Sequence, residues 1–575
     1  MRPDRLGGAV LRGVRATAAG WTSLAAALVA TWPLATRLTS EVPLGTEGEA
    51  TVPVFSIWNL WWTADRIPHG FAGFLDAPFF HPNEGVTTYS EPMPFVGTLV
   101  SPLWAAGAPP ALVYNVALLA LLTLNGVFAY RLARALELPA GPALVGGVVA
   151  VTVPFTAGVL GVLPSLGLFG MLWTLDGLVR FGRTGWGGWA AWAAAGFAAT
   201  YFTFQQYALF FAPVALAAAI VALSERRFAR PALARLGVVA LLAVLAVLIL
   251  ALPTSSRHAD TGGFERPPEL VEALSAGPGD FLTRPATASV PVPRRDPADT
   301  AGLFPGFLLA GLALAGAVAG MREGRRRRWA AMLTGMAAFG FLLALGLNLD
   351  LLGWRPFGTL RALVSAFAEV RSPYRAAALM QVCLPVLAAL ALARLRGRLV
   401  RGGVAAMVVL GLVAAAENLA VPASLHAVPR AGSAWSAWLR EHPEHRVLAH
   451  VPFPAGLTVS AYEVEAWRLL SQTDHRRAMV NGYSGFFPVT RAPDGRILPA
   501  YTDFQLRMAA EFPTGALMCT LTESLGVDTL VADRAWLAGH ERELARFESF
   551  LLPVYADADV RIYSLATPPG RCEVS

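Results

Sequence analysis

The sequence predicts a polytopic α-helical membrane protein of about eleven transmembrane helices, followed by a small C-terminal α/β domain. Three observations support this fold class. Of the 575 residues, 55% are hydrophobic and only 15% are charged, which is more apolar than soluble cores require. Apolar runs long enough to cross a bilayer recur along the chain. After residue 421 the pattern changes to short alternating segments.

The predicted spans are apolar runs of roughly 20 residues, the length that crosses the hydrocarbon core as a helix. The first run follows several arginines and resembles a signal peptide. No small-residue cleavage site comes after it, so we expect a retained first span. The runs cover residues 17–38, 110–133, 141–160, 162–180, 186–203, 205–223, 233–253, 302–320, 329–349, 373–394 and 402–420.

Basic residues orient the chain, because Lys and Arg in short loops favour the cytoplasmic side. With the N-terminus inside, the basic clusters of the short loops all fall on that side. We therefore expect a multi-pass protein of the cell inner (plasma) membrane, with a cytoplasmic N-terminus and an extracytoplasmic C-terminal domain. These clusters account for much of the net charge of +7, so no nucleic-acid partner is expected. They lie at 131–138, 180–185, 224–235, 321–329 and 394–402.

Two domains are expected, a transmembrane domain at 1–423 and an extracytoplasmic α/β domain at 424–575. Within the first, two large segments are predicted to lie outside: the first outer loop at 39–109 and a Pro/Gly-rich second loop at 254–301. Irregular backbone of this kind does not cross lipid.

The C-terminal segment carries the strand and helix patterns of a small domain. The segments "HRVLAHVPF", "RAMVNGYSGFF", "VDTLVADRAW" and "VRIYSL" are predicted as strands, and "ERELARFESF" (541–550) as an amphipathic helix. Cys519 and Cys572 both fall here, and either a disulfide or two unpaired thiols fits an outer location.

The first outer loop combines many acids with many aromatic residues. A helix is predicted over 52–66, because Phe55, Trp58, Trp61 and Trp62 share one face at helical spacing. We expect this helix to lie along the membrane interface as an aromatic belt and to hold neighbouring carboxylates at headgroup depth. Acids just before it would otherwise serve as a solvated cap that suits the helix dipole.

Several segments, taken together, resemble the polytopic glycosyltransferases of the GT-C superfamily. The similarity is greatest to bacterial membrane proteins of the dolichyl-phosphate-mannose protein mannosyltransferase-like group. The segments are "EGE" (47–49), "FFHPNEGVTTYSEPMPF", "LVYNVALLALLTLNGVFAYRLARAL", "LFPGFLLAGLAL" (303–314), "RSPYRAAALM" (371–380), "ENLAVP" (417–422) and "SQTDHRRAMVNGYSGFFP" (471–488).

This resemblance implies transfer of a sugar from a polyprenyl-phosphate-linked donor to an envelope glycan, lipid or protein acceptor on the outer face. It also implies an acidic base in the first outer loop. The position that matches is Glu49, where the family pattern reads Gly-Asp and this chain has Gly48-Glu49. Glu47 is the alternative base. A carboxylate suits the role because the acceptor hydroxyl loses a proton as it attacks.

Further candidates follow from the charge that develops on the donor phosphate. Arg371 and Arg375 flank "SPY" at the predicted outer mouth of a span. On a helix they would share one face, although Pro373 favours a helix that begins there. Anchoring at the headgroups is the simpler interpretation of these arginines.

Three residues of the first outer loop are candidates for the acceptor site or for a divalent metal: His81, Glu84 and Glu91. Their spacing matches no established ligand motif.

Two other functions compete with glycosyl transfer. A non-catalytic lipid-binding or polysaccharide-assembly protein of the same architecture would fit the longer side chain of Glu49. A transporter would need charged or broken-helix residues near the bilayer midplane, and the central thirds of the predicted spans hold very few.

Overall fold

A computed structural model describes residues 3–45, 48–260, 264–284, 302–398, 402–429, 432–548 and 550–565. The α-helices of the first half of the chain are α1 Pro3–Ala30, α2 Thr51–Arg66, α3 Pro94–Ala105, α4 Pro110–Ala135, α5 Ala140–Val151, α6 Pro154–Gly158, α7 Phe169–Thr184, α8 Gly187–Thr203, α9 Gln205–Glu225, α10 Arg230–Asp260 and α11 Pro268–Ala273. Those of the second half are α12 Phe307–Met321, α13 Arg327–Ala344, α14 Pro356–Leu363, α15 Ser365–Ala368, α16 Ala377–Arg398, α17 Gly403–Ala416, α18 Ala434–Glu441, α19 Glu463–His475, α20 Tyr501–Glu511, α21 Gly515–Cys519 and α22 Arg534–Leu544.

The strands fall into three sheets. β1 and β2 pair with each other, β5 and β6 form an antiparallel hairpin, and the remaining strands form a mixed five-stranded sheet in the order β4-β3-β7-β9-β8. In this sheet β3 pairs in parallel with β4 and β7, whereas β9 is antiparallel to β7 and β8. The strands are β1 Glu41–Pro43, β2 Leu425–Ala427, β3 Val447–Val451, β4 Ala478–Met479, β5 Val489–Arg491, β6 Ile497–Ala500, β7 Thr529–Asp533, β8 Leu551–Ala556 and β9 Val560–Leu565.

The chain is a helical membrane protein by the length and composition of its helices. Each predicted apolar run contains a helix. Five helical segments are long and apolar enough to cross a bilayer: Pro110–Ala135, Ala140–Gly158, Gln205–Glu225, Arg230–His258 and Pro373–Arg398. The shorter apolar helices include Thr17–Ala30, Phe307–Met321 and Gly403–Ala416. The count of about eleven spans, the inner-membrane location and the orientation stay predictions.

The contacts divide the chain into two compact units. The helical unit comprises 1–47, 115–253 and 264–426, and the loop–sheet unit comprises 48–114, 254–263 and 427–575. Most of the first outer loop thus belongs to the same unit as the C-terminal segment. The expected boundary between a transmembrane domain ending at residue 423 and an extracytoplasmic domain beginning at residue 424 stays a prediction.

Small residues let the helices of the helical unit approach closely. A Cβ on Gly316 of α12 would lie 1.8 Å from the carbonyl oxygen of Leu387 on α16, so only glycine fits there. Likewise, a Cβ on Gly177 of α7 would lie 2.6 Å from the amide nitrogen of Ala193 on α8. Close backbone approach through small residues is the usual packing of membrane helices.

In the C-terminal segment, the four predicted strands correspond to β3, β4, β7 and β9. The predicted helix over 541–550 is displaced, because α22 begins at Arg534 and ends at Leu544. The hairpin strands β5 and β6 and the edge strand β8 were missed by the sequence pattern. Cys519 lies at the end of α21, and the question of its bonding to Cys572 falls outside the described residues.

The predicted helix at 52–66 exists as α2, but its placement as an interfacial belt was wrong. Trp58 is fully buried, and Phe55, Trp61 and Trp62 are at most 6% exposed. The helix packs against α3 and α19 inside the loop–sheet unit. The aromatic face therefore forms a protein core instead of meeting headgroups.

Candidate active site

The residue that the resemblance marks as the base, Glu49, lies in a bend just before α2. Its side chain is partly exposed, and within the described part of the chain its carboxylate makes no ion pair or hydrogen bond. The bend is held in place because the hydroxyl of Thr51 donates to the carbonyl oxygen of Val459 at 2.9 Å. Glu49 is thus an available carboxylate on an anchored backbone. Glu47 lies outside the described residues.

Three other acids of the first outer loop are engaged by arginines. Glu41 pairs with Arg37 at 2.7 Å in the helical unit. In the loop–sheet unit, Glu84 lies 3.3 Å from Arg257, and buried Asp65 lies 3.0 Å from Arg476 and also pairs with Arg66. The carboxylate oxygens of Asp65 and Glu84 are therefore occupied by guanidinium groups, whereas among the described residues those of Glu49 are not.

Helix α2 is fixed by contacts with the C-terminal segment of its own unit. Trp58 Nε1 donates to Gln472 Oε1 of α19 at 2.9 Å, and both residues are buried. Phe55 meets Tyr483 edge to face with ring centroids 5.3 Å apart. Because no sequence spacing links these positions, the pairing of the first outer loop with the C-terminal segment was missed.

The segment "NGYSGFF" packs on the first-loop aromatics. A Cβ on Gly482 would lie 2.8 Å from a ring carbon of Phe79 and 2.9 Å from Phe80. Phe80 N also donates to the carbonyl oxygen of Asn481 at 3.2 Å. The glycine therefore permits close contact between the two segments.

A largely buried ionic cluster joins α19 to β7 and to the segment that carries Asn481. Glu465 accepts hydrogen bonds from Arg468 at 2.8 Å and Asn481 at 3.0 Å, and Arg468 also reaches Asp533 at 3.0 Å. Burial raises the pKa of Glu465 and of Asp533, although Arg468 opposes the shift at both. Breaking such a cluster would leave a buried charge unpaired.

The acceptor or metal candidates have separate surroundings. His81 N donates to Met479 O at 2.8 Å, and burial lowers the pKa of its imidazole despite the nearby Asp528. Glu84 pairs with Arg257, and Glu91 receives a long bond of 3.4 Å from Ser90. Among the residues described, no group of three His, Cys, Asp or Glu side chains could hold a metal ion.

Arg371 and Arg375 lie in the helical unit at the start of the segment that leads into α16. Arg371 is exposed in a bend, whereas Arg375 lies in a 3₁₀ turn, Pro373–Ala376. They therefore do not share one helical face, because Pro373 starts a separate turn. Arg375 donates to Gln206 at 3.3 Å and lies over the ring of Phe204, 5.5 Å from its centroid.

No family model matches the chain, and no curated protein sequence matches it. Solved structures do. The arabinofuranosyltransferase AftD from Mycobacteria superposes with a TM-score of 0.55 at 16% identity, over 96% of this chain and 40% of that chain. A mutant of the same protein gives 0.51 at 17% identity, over 95% of this chain and 41% of that chain.

The chain has a GT-C-like fold. The archaeal oligosaccharyltransferase AglB from Archaeoglobus fulgidus, solved with an inhibitory peptide and a dolichol-phosphate, also matches, with a TM-score of 0.46 at 13% identity over 97% of this chain and 75% of that chain. The chain spans less than half the length of AftD. The superposition with AftD supports the fold suggested by the sequence resemblance.

Proposed function

We propose that this GT-C-like protein is a membrane glycosyltransferase. In this proposal it transfers a hexosyl or pentosyl group from a polyprenyl-phosphate-linked donor to an envelope glycan, lipid or protein acceptor on the outer face of the inner membrane. The observation that carries the proposal is the available carboxylate of Glu49, at the loop position where the fold's relatives keep an acidic base. The polyprenyl chain of the proposed donor would lie in the membrane lipid.

In the proposed reaction, an acceptor hydroxyl oxygen forms a bond to the anomeric carbon while the bond from that carbon to the donor phosphate oxygen breaks. Glu49 takes the hydroxyl proton, and the lipid phosphate leaves with the bonding electron pair. Arg371 and Arg375 are the proposed partners of the negative charge that develops on this phosphate, since guanidinium groups bind phosphate oxygens in pairs. The proposal does not depend on a divalent metal, and the described residues include no cluster of three side chains that could bind one.

The glutamate side chain is one methylene longer than the aspartate of the family pattern. The proposal therefore requires a site shaped for glutamate. Shortening the side chain would withdraw the carboxylate by more than an ångström, which is enough to break a proton-transfer contact.

The test is transfer of radiolabelled sugar from a panel of polyprenyl-phosphate sugars by membranes that contain the full chain. We expect Glu49→Gln to lose transfer at least a hundredfold, the lower range for general-base catalysis, and Glu49→Asp to lose it in part. The matched control is Glu523→Gln, which alters an exposed carboxylate of the same unit. Unchanged transfer in both Glu49→Gln and Glu47→Gln would remove the proposed base.

The second candidate function is a non-catalytic lipid-binding or polysaccharide-assembly protein of this fold. It is favoured by the glutamate at the usual aspartate position. Photo-crosslinking to a polyprenyl phosphate with no turnover of any donor in the panel would support it over the transferase.

A further inference from the structure

A groove in the loop–sheet unit is lined by four tryptophans, each from a different helix. Trp61 comes from α2, Trp104 from α3, Trp435 from α18 and Trp467 from α19. We call it the tryptophan groove. Its volume of about 890 Å³ lies within the usual range for ligand sites, roughly 300 to 1,000 Å³. Glu49 does not line it.

The four tryptophan rings differ in how much of their surface is exposed. Trp61 and Trp435 are less than 9% exposed, so most of each ring is held by the core. Trp104 and Trp467 are only partly buried and keep ring surface open to the groove. Rigid aromatic surface on regular helices loses little entropy when a ligand binds.

The charged side chains of the groove neutralise one another. Asp65 lies 3.0 Å from Arg476, and Asp474 lies 3.6 Å from Arg440. Asp65 is only 6% exposed in its side chain, and Asp474 also accepts from the hydroxyl of Ser436 at 2.9 Å. The groove therefore offers fixed hydrogen-bond acceptors and donors whose charges balance, without the excess of positive charge that an anion requires.

We propose that the tryptophan groove binds an uncharged stretch of glycan. The C–H faces of sugar rings carry slight positive charge and stack on the negative faces of indole rings. Sugar hydroxyls donate to carboxylates and accept from guanidiniums, so paired Asp and Arg at the rim suit them. A lipid chain would take water from these paired groups and offer no hydrogen bond in its place, and a phosphate would meet as much negative as positive charge.

The glycan bound in the groove would be part of the acceptor chain. It would be a stretch of that chain separate from the sugar unit that carries the reacting hydroxyl. That role rests on the proposed function, whereas the binding itself does not. Remote binding of this kind fixes a long acceptor and lets its end reach a separate base.

The test uses the full chain in lipid nanodiscs, because maltoside detergents would compete for a sugar site. Neutral linear manno-, gluco-, galacto- and arabino-hexasaccharides are titrated by saturation-transfer NMR and tryptophan fluorescence. We expect at least one to bind at millimolar concentration or below. Trp467→Ala and Trp104→Ala should each weaken it by about tenfold, the loss of one aromatic stacking contact.

Three variants separate glycan binding from folding, from catalysis and from the general loss of a tryptophan. Asp474→Asn keeps the acceptor oxygen for Ser436 and should weaken binding several-fold in a folded protein. Glu49→Gln should bind the hexasaccharide as wild type does, even where transfer is lost. Trp186→Ala alters an exposed tryptophan of the helical unit and should leave binding unchanged.

Three results would overturn the proposal. One is that no hexasaccharide binds at millimolar concentration. Another is binding that Trp467→Ala, Trp104→Ala and Asp474→Asn leave unaltered. The third is that farnesyl phosphate or inorganic phosphate displaces the sugar from the groove, which would make it a phosphate site.

Discussion

Trp58 and Gln472 lie 414 residues apart in the chain and share a buried hydrogen bond of 2.9 Å between Nε1 and Oε1. The amide nitrogen of Gln472 donates further to the carbonyl oxygens of Pro78 at 2.5 Å and Arg477 at 2.8 Å. One fully buried glutamine thus joins α2, the loop that follows it and the end of α19. The bend that carries Glu49 is attached to the start of this same α2.

Gln472→Leu should destabilise the loop–sheet unit, because the buried indole N–H of Trp58 and the carbonyl oxygen of Arg477 lose this partner, and the carbonyl oxygen of Pro78 keeps only the bond from Met479 N. Each unsatisfied group costs about 1–3 kcal/mol, so we expect the thermal midpoint of this unit to fall by several degrees. The measurement is limited proteolysis of the full chain on heating.

The matched control for this loss is Trp58→Phe, which removes one donor and leaves the bonds to Pro78 and Arg477. It should cost less than Gln472→Leu. In the double variant the two effects should fall short of their sum, since both delete the same bond. Full additivity would show that the bond contributes nothing.

Gly316 and Gly311 of α12 provide a pair of substitutions on one helix. Gly316→Ala would put a methyl 1.8 Å from the carbonyl oxygen of Leu387, so α12 and α16 must separate and the thermal midpoint should fall. A methyl on Gly311 would meet no atom of a neighbouring element within 4 Å. There Gly311→Ala should be neutral or stabilise by up to about 1 kcal/mol. Equal effects at the two positions, measured by thermal aggregation of the membrane-extracted chain, would contradict the packing.

The sequence was sufficient for the positions of the apolar helices, of α2 and of four strands, β3, β4, β7 and β9, because hydropathy and spacing depend on local residues. The face of α2 was likewise visible in the spacing of Phe55 and Trp58. Its burial was not, because an aromatic stripe looks the same whether it meets headgroups or another helix. Deciding between them requires the partner, Gln472, which no local pattern identifies.

For the candidate site too, the sequence could indicate residues but not their surroundings. A resemblance could mark Glu49, but whether its carboxylate is free depends on where distant arginines lie. The engagement of Asp65 by Arg476 shows this, since the two are far apart in sequence. The tryptophan groove was missed for the same reason: Trp104 and Trp467 are unremarkable separately, and only the fold places them on one surface.

The loop–sheet unit should lose stability in acid through His475. Burial, with a smaller effect of Arg477, lowers the pKa of this imidazole from 6.5 to about 3. The folded state then keeps it neutral while the unfolded chain takes up a proton below pH 6.5. Its stabilising contribution is complete above that pH and is lost as the pH falls towards 3, by up to about 1.4 kcal/mol per pH unit.

The variant that tests this is His475→Asn, whose side-chain oxygen can still accept the bond that Arg477 N donates to Nδ1 at 3.0 Å. We expect its thermal midpoint to depend less steeply on pH between 6.5 and 4.5 than that of wild type. His540→Asn changes a half-exposed histidine of the same unit and should leave the slope as it is. Parallel pH profiles for wild type and His475→Asn would rule out the effect.

The two arginines proposed for the donor phosphate should differ in their kinetic signatures. Arg371 is exposed and has no ion pair in the described part of the chain, so Arg371→Gln should chiefly raise KM for the polyprenyl-phosphate sugar, by about tenfold for one lost charge contact. Arg375 is oriented by Gln206 and by the ring of Phe204. A preoriented group acts mainly on charge that develops in the transition state, so Arg375→Gln should lower kcat about a hundredfold.

The conservative change to lysine should separate the two arginines again. Arg371→Lys should keep most activity, whereas Arg375→Lys should not, because an ammonium lacks the planar face that packs on Phe204. Arg322→Gln, at an exposed arginine of the helical unit, is the control for charge alone. If all three Gln variants change KM and kcat alike, the arginines act only through the net charge of the surface and the assignment to the phosphate fails.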